Sequence, residues 1–407
     1  MRRFLGIAVL CCLAALAAPP DSKKAGMDPE RLARIPVRMK QFVDQGSISG
    51  AVTLVARHGV LAELDAVGYQ DVEKKTPMRP DSIFQIMSMT KPVVAVGIMI
   101  LMEEGRLAPS DLVEKHLPEF RGQWMIESSD PNTRSLKRPS RPITIRDLLT
   151  HTSGMPSMPP EGLKELYSDM KTPLAEAVSV YSQMPLEFEP GSKWQYSNPG
   201  IAILGRIIEV AADQPFEKFC DERIFKPLGM KDSFFFPTPD KLERIALVYR
   251  LDENKKLRKA GRDTLGGDPW EYRKGARYPA PEFGLYSTAQ DLWALYQMVL
   301  NGGTYNGKRF LSKPTVEMMT TLHTGDLAAG HEPGRGYGLA WTVVKDPIGG
   351  LQLQSIGTYG HGGAFGTQGT VDPKKDLITV FMIQRSAGGD SSERNAFLTM
   401  AASAIVE

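Results

Sequence analysis

Strand patterns at both ends of the chain, with helical patterns between them, constrain the fold more than any other feature of the sequence. Residues 49–59 are predicted to form a strand that ends in a turn, and residues 60–69 its hairpin partner. Near the other end, residues 366–371 and 377–383 flank the turn sequence 372–376 as a second hairpin. The chain is therefore predicted to be of the α/β (α+β) class, with one antiparallel β-sheet built from both termini, flanked by helices, and an inserted all-helical lobe.

Helical patterns fill the middle of the chain and recur towards its end. Helices are predicted over residues 29–45, 92–104, 144–149, 199–208, 287–300 and 396–406. One more strand is predicted over 338–344, and residues 127–142, rich in Ser, Pro, Arg and Lys, are predicted to form a surface loop. From residue 27 onward we expect an α/β part, about 27–104 and 236–407, and a helical lobe, about 105–235.

The first residues have the composition of an export signal. Arg2 and Arg3 precede an apolar run over residues 4–16, and small residues and two prolines follow it. This pattern is typical of a signal peptide, and the apolar run is too short to cross a bilayer. We therefore predict a signal peptide over residues 1–18, a periplasmic or secreted protein, and no stable membrane insertion.

Charge and cysteine content argue against several classes of function. Removing Arg2 and Arg3 with the signal takes the formal net charge from +2 to 0, which leaves no electrostatic basis for binding nucleic acid.

Of the three cysteines, Cys220 alone follows residue 18, so the mature chain has no internal disulfide. Asp221 and Glu222 beside it disfavour a thiolate, which predicts a buried structural cysteine rather than a nucleophile. The sequence does not indicate the oligomeric state.

Ser88 and Lys91 are the first candidates for chemistry. Proline is tolerated only within the first turn of a helix, so Pro92 places a helix start close to Ser88. Ser88 and Lys91, three residues apart, then share one face, and a buried lysine can accept the proton of a neighbouring hydroxyl. The alternative is an ordinary helix cap, and Ser168 and Lys171 repeat the spacing with no apolar run behind them.

Tyr196 and Asn198 are the second pair of candidates. Ser197 or Asn198 is predicted to cap a helix whose first position is Pro199, so Tyr196 projects just before a rigid helix start. A fixed phenol hydroxyl can relay a proton, and an asparagine side chain can both donate and accept hydrogen bonds. A plain capping sequence remains the alternative.

A glycine-rich segment, residues 360–366, is the third candidate. Glycines are costly inside a strand unless another backbone must approach closely, as at a bulge or a substrate groove. A backbone N–H in this segment, presented beside the N–H of Ser88, would form an oxyanion hole. The alternative is a glycine-rich loop without a binding role.

The three motifs follow one another with more than a hundred residues between neighbours. This arrangement resembles the serine β-lactamase and penicillin-binding-protein superfamily, and is closest to family VIII carboxylesterases and class C β-lactamases. Four further phrases are similar to the same superfamily: Phe84–Met87, Leu148–Gly154, Glu189–Gly191 and Gly336–Leu339. The resemblance extends over residues 29–405 and implies an antiparallel sheet flanked by helices beside a helical lobe.

The resemblance also implies roles for the first two motifs. Ser88 would be the acylated nucleophile and Lys91 its base partner. Tyr196 would share proton transfer and later activate water, and Asn198 would contact the substrate. The implied reaction needs no cofactor and no metal.

The third motif departs from that of β-lactamases. The resemblance places His361, Gly362 and Gly363 against the substrate, and the N–H groups of Ser88 and Ala364 in the oxyanion hole. β-Lactamases of the superfamily usually carry Lys-Thr-Gly there, whose ammonium and hydroxyl groups help to hold a carboxylate. A glycine at 362 supplies neither group, and a histidine is mostly neutral at pH 7. Family VIII carboxylesterases, which usually have Trp-Gly-Gly, are more similar, and His361 is predicted to line the pocket.

We therefore predict a serine hydrolase that cleaves short-chain carboxylic esters, with a small-molecule ester as substrate and no nucleic-acid partner. A β-lactamase, a D-Ala-D-Ala carboxypeptidase or a D-amino-acid peptidase is the first alternative, because these enzymes share the motifs. A non-catalytic binder of cell-wall fragments is the second. Such a binder is expected to lack Ser88, Lys91 or Tyr196, and all three are present.

Overall fold

The structure is a computed structural model, and it describes most of the chain after the predicted signal peptide. The described residues are 20–130, 132–159, 167, 170–261, 273–350, 353–386 and 391–406. The predicted signal peptide over residues 1–18 and the second serine-lysine pair at Ser168 lie outside them. Within the described ranges, no helix has the length and apolar character needed to cross a membrane.

An eight-stranded antiparallel sheet is assembled from both ends of the chain. Its strands are β1 Gly50–Arg57, β2 Val60–Asp71, β3 Thr76–Pro77, β4 Arg335–Tyr337, β5 Thr342–Val344, β6 Tyr359–Gly362, β7 Gln368–Asp372 and β8 Leu377–Met382. Their order across the sheet is β4-β5-β6-β7-β8-β1-β2-β3. The N-terminal and C-terminal hairpins meet where β1 pairs with β8, with Leu54 opposite Val380. The predicted fold class is confirmed.

Helices cover the sheet and are the longest regular elements between β3 and β4. Those of eight or more residues are α1 Arg34–Asp44, α2 Lys91–Glu103, α3 Leu174–Tyr181, α4 Asn198–Ala212, α5 Ala289–Leu300, α6 Lys313–Thr320 and α7 Ser392–Ser403. Shorter helical segments are Pro29–Leu32, Met87–Thr90, Val113–His116, Pro118–Phe120, Ile145–Leu149, Phe216–Cys220, Asp221–Phe225, Lys226–Leu228, Leu242–Arg244 and Pro347–Gly350. The proposed lobe boundaries near residues 105 and 235 stay a prediction.

The two faces of the sheet bury different sets of side chains. Val52 and Leu54 of β1 point into a large core shared with α2, α4 and α5. Ala51 and Val55 point the other way, into a smaller core formed with α1 and α7. This alternation follows from the two-residue period of a strand. Because both faces are covered, every residue of β1 is buried.

Helices α2 and α4 pack together inside the larger core and bring two of the predicted motifs side by side. Residues 91–101 of α2 are all buried, because this helix runs through the interior. Gly97 of α2 lies close to α4, because an added Cβ would be 3.0 Å from the Ile208 side chain. The N-terminal ends of the two helices meet in a hydrogen bond of 3.0 Å from Lys91 Nζ to Asn198 Oδ1.

Two predictions about local structure are wrong. The strand predicted over 338–344 is a bend followed by the short β5, because Ala340 has a positive φ of 60° and its N–H bonds to Leu149 instead of a strand. The surface loop predicted over 127–142 contains a small hairpin, Met125–Ser129 paired with Arg134–Lys137. Most of its residues are exposed, so polar side chains hid the strand pattern.

Candidate active site

Ser88 stands in a tight 3₁₀ turn, Met87–Thr90, that leads directly into α2. Met87 has a φ of 50°, in the left-handed region that non-glycine residues rarely occupy. Such strain persists only where surrounding contacts hold it, and it often marks functional positions. Here Thr90 Oγ1 donates to the Met87 carbonyl at 2.7 Å and accepts from the Leu285 N–H at 3.2 Å. The turn is thereby tied to a distant segment of the chain.

Lys91 lies beneath Ser88 with its ammonium group fully surrounded by acceptors. Its Nζ is 3.1 Å from Ser88 Oγ, 3.0 Å from Asn198 Oδ1 and 2.7 Å from the Glu282 carbonyl oxygen. The side chain is 0% exposed. Burial lowers the pKa of Lys91 to about 7, although the nearby Glu282 carboxylate opposes this effect. Lys91 can therefore lose its proton near neutral pH and accept one from Ser88.

Tyr196 approaches the same two residues from the start of α4. Ser197 caps this helix by accepting from the Gly200 N–H at 3.0 Å, which fixes the preceding tyrosine. Tyr196 lines the same cavity as Ser88, and its ring centroid lies 4.6 Å from Lys91 Nζ. Burial raises the pKa of Tyr196. The phenol therefore stays protonated at pH 7, which suits it to relay a proton between neighbours.

The glycine-rich segment lies directly against the turn that carries Ser88. A Cβ on Gly363 would overlap the carbonyl oxygen of Ile86, two residues before the serine. Thr367 Oγ1 donates to that same carbonyl at 3.1 Å. A close backbone approach therefore requires glycine here, as the sequence suggested. Ala364 lines the same cavity as Ser88, and its N–H has no hydrogen-bond partner within the described part of the chain.

His361 is buried in β6 and carries no charge. Its Nδ1 donates to the Gly362 carbonyl at 2.7 Å, so its Nε2 must accept from the Tyr337 hydroxyl, also at 2.7 Å. Burial, with a smaller effect of the Lys91 charge, lowers the pKa of His361 to about 3. Where β-lactamases usually carry a lysine, this chain presents a neutral imidazole.

Rings that the sequence did not single out surround Tyr196. The ring centroid of His151 lies 4.5 Å from that of Tyr196, and that of His331 lies 4.8 Å away. His151 Nδ1 also accepts from the Ser197 N–H at 3.1 Å. Burial lowers the pKa of both histidines. The only sequence signal for His151 was its position in the phrase Leu148–Gly154, and His331 had none.

A cavity of about 370 Å³ opens above these groups. Its wall includes Ser88, Tyr196, His331, Glu332, Arg335, Thr358, His361, Gly362, Gly363, Ala364, Arg394 and Leu398. The Oδ1 of Asn198 accepts from Lys91 and its Nδ2 lies 3.1 Å from Met158 Sδ, and the predicted contact of Asn198 with substrate stays a prediction. In the described ranges, no group of three or more His, Cys, Asp or Glu residues could hold a metal ion. Cys220 is buried and burial raises its pKa, in agreement with a structural role.

The family model, the related sequences and the solved structures that match this chain all point to the same group of hydrolases. Residues 38–403 match the Beta-lactamase family. The chain is 31% identical over 397 residues to Esterase EstB of Burkholderia gladioli, covering 92% of this chain and 96% of that protein. It is 28% identical over 406 residues to an Escherichia coli (strain K12) protein named as a candidate D-alanyl-D-alanine carboxypeptidase, covering 92% and 88%. The solved structure of EstCE1, a hydrolase with promiscuous acyltransferase activity, matches with a TM-score of 0.80 and 26% identity, covering 93% and 99%.

Reaction of Ser88 with a fluorophosphonate should rise with pH through a midpoint near 7. Lys91 accepts the Ser88 proton only as the free amine, and its lowered pKa of about 7 makes the amine the main form above that pH. Well below the midpoint the rate should fall about ten-fold per pH unit. The second-order rate constant of inactivation, measured from pH 5 to 9, tests this. A midpoint at about 10, where lysine ordinarily titrates, would contradict the assignment.

Replacing Gly363 by alanine should slow the same reaction by at least about ten-fold. The added methyl group would overlap the Ile86 carbonyl and push the glycine-rich segment away from the Ser88 turn. Gly357→Ala is the matched control, because its Cβ would meet nothing within 4 Å and only its positive φ would be strained. Similar rates for the two variants would show that the close approach is unimportant.

Proposed function

We propose, from the premise that this chain belongs to the beta-lactamase family of serine hydrolases, that it is a carboxylesterase acting on short-chain acyl esters. The observation that carries the proposal is the contact of 3.1 Å between the buried Lys91 Nζ and Ser88 Oγ. A lysine whose pKa lies at about 7 is a base suited to neutral pH. The names of EstB and EstCE1 support a hydrolase of this kind.

Acylation begins with the ester carbonyl between the N–H groups of Ser88 and Ala364, which stabilise the developing oxyanion. Ser88 Oγ attacks the carbonyl carbon and its proton passes to Lys91 Nζ, directly or through the Tyr196 hydroxyl. The C–O bond to the leaving group then breaks. The departing alkoxide takes the proton back from the Lys91–Tyr196 pair and leaves as the alcohol, so the acyl group remains on Ser88.

Deacylation repeats these steps with water. Tyr196, which shares the cavity wall with Ser88 and lies against Lys91, orients the water molecule through its hydroxyl and passes the water's proton on to Lys91. The resulting hydroxide attacks the acyl carbon, and the bond to Ser88 Oγ breaks. Ser88 regains a proton from the same pair and the carboxylic acid is released.

The neutral third motif favours esters over β-lactams. His361 is held as a neutral imidazole and Gly362 has no side chain, so these two residues offer a substrate carboxylate neither charge nor hydroxyl. One feature favours the second candidate, a D-Ala-D-Ala carboxypeptidase or β-lactamase. Arg335 and Arg394 line the cavity, although Glu332 lies 3.7 Å from one and 2.6 Å from the other.

Location and partners are part of the same proposal. The signal-peptide pattern over residues 1–18 supports export to the periplasm or the medium. A small-molecule ester is the proposed partner, with no nucleic acid and no stable membrane insertion. A non-catalytic binder is disfavoured, because Ser88, Lys91 and Tyr196 are all present and in contact.

Ser88→Ala should remove fluorophosphonate labelling and lower ester turnover by at least about 1,000-fold, because no other group takes over a covalent step. Ser192→Ala is a suitable control, since Ser192 is exposed and outside the cavity wall. Mass spectrometry of the labelled protein identifies the modified residue. Labelling that persists at another serine would refute the choice of nucleophile.

A substrate panel separates the two candidate functions. We expect a larger kcat/KM for p-nitrophenyl butyrate than for a chromogenic cephalosporin or a peptide ending in D-Ala-D-Ala, because the third motif offers a carboxylate no counter-charge. The three substrates are assayed with one enzyme preparation, and Ser88→Ala corrects for background hydrolysis. Faster turnover of the cephalosporin or the peptide would reverse the proposed preference.

A further inference from the structure

Glu282 contacts Lys91 through its main chain and buries its carboxyl group beside a phenol hydroxyl. Glu282 is 0% exposed, and its carbonyl oxygen accepts from Lys91 Nζ at 2.7 Å. Its side-chain Oε1 accepts from the Tyr278 hydroxyl at 2.7 Å. The ring of Tyr167 stacks on that of Tyr278 at 6.3 Å, and Tyr181 is also fully buried nearby. The Glu282 side chain cannot touch a substrate, because it is shut off from the cavity by burial.

Burying either Glu282 or Lys91 alone as an ion would be strongly unfavourable. When both are buried as ions, the charge of each lowers the free-energy cost of burying the other. Burial raises the pKa of Glu282 while Lys91 lowers it, and burial lowers the pKa of Lys91 while Glu282 raises it. Tyr278 stabilises the ionised carboxylate by donating to it, which favours the charged pair.

The other titratable groups that face Lys91 do not hold a proton on it. His151, His331 and His361 surround the Tyr196 ring, and burial keeps each of them neutral near pH 7. Tyr196 is likewise a neutral phenol. Glu282 is the carboxylate whose charge acts on Lys91.

We propose that the Glu282 side chain sets the proton affinity of Lys91, as a positioning residue for the base that activates Ser88. The inference rests on the proposed function, since it assigns Glu282 a task in that reaction. A base in this site must take a proton from Ser88 and then return it to the leaving alkoxide. Without the carboxylate, Lys91 would be a lone buried cation that gives up its proton too readily to stay a balanced acid and base at neutral pH.

Glu282→Gln tests the proposal, because the amide keeps the shape and an oxygen acceptor for Tyr278 while removing the charge. The pH midpoint of fluorophosphonate inactivation should move down by about one unit, the lower end of what one nearby opposite charge produces. At pH 5 the variant should then react up to about ten-fold faster than the parent protein. Its rate above the midpoint should be no higher, because a weaker base removes the Ser88 proton less effectively.

Glu63→Gln is the matched control. Glu63 is also a buried glutamate, 5% exposed, whose pKa is raised by burial and which accepts from Thr53 across β1 and β2. It has no contact with Lys91, so the midpoint should stay where it is in the parent protein. An unchanged midpoint in a folded Glu282→Gln variant would overturn the proposal.

A direct titration of Lys91 separates this inference from the proposed function. Protein labelled with ¹³C at lysine Cε, in a Ser88→Ala background, reports the Lys91 titration by NMR, with Lys91→Met identifying the signal. If the enzyme turned over no ester, the proposed function would fail, and a lower Lys91 midpoint in Glu282→Gln would still support the inference. If Glu282→Gln does not fold, Tyr278→Phe replaces it: losing the donor disfavours the ionised carboxylate, so the midpoint should fall by a smaller amount, and no movement would overturn the inference.

Discussion

A buried amine held against a serine hydroxyl is the interaction on which the rest of this site depends. Lys91 Nζ contacts three oxygens that come from its own helical turn, from the start of α4 and from the segment around Glu282. An amine without such acceptors would be too costly to bury, and an exposed one would stay protonated at neutral pH. Because the three acceptors are distant from one another in the sequence, the base exists only when the Ser88 turn, the start of α4 and the segment around Glu282 have packed together.

Close backbone packing completes the site from the side of the sheet. Gly363 lies against the Ile86 carbonyl, and Thr367 bonds the same carbonyl at 3.1 Å, so β6 and β7 are anchored at the Ser88 turn. The strain at Met87 is held by these contacts and by Thr90. Neutral imidazoles around Tyr196 add polar rings without adding charge. The charged residues of the cavity wall, Glu332, Arg335 and Arg394, instead form ion pairs with one another.

Sequence patterns were sufficient to predict the antiparallel sheet. They were also sufficient to predict the site residues that stand next to the start of a helix. The two hairpins of the sheet, the helix starts after Ser88 and Tyr196, and the glycine requirement at 363 follow from local rules of turns, caps and backbone approach. The register of β1 against β8 came only from the structure. The strand over 338–344 failed because a contact from Leu149 to Ala340, far away in sequence, bends the chain there. Asn198 matched the motif by position, but its contact with Lys91 could not be read from spacing.

By itself, the sequence determined which residues could do the chemistry. These are a serine and a lysine three residues apart before a proline, a tyrosine just before a helix cap, and glycines where two backbone segments approach closely. These are properties of neighbouring residues, so they are visible without a fold. Only the tertiary structure decided how those groups behave. Burial moves the pKa of Lys91 to about 7, and hydrogen bonds from the Tyr337 hydroxyl and the Ser197 N–H fix which ring nitrogen of His361 and of His151 is the acceptor. Proton affinity depends on the surroundings in space, which no local pattern encodes.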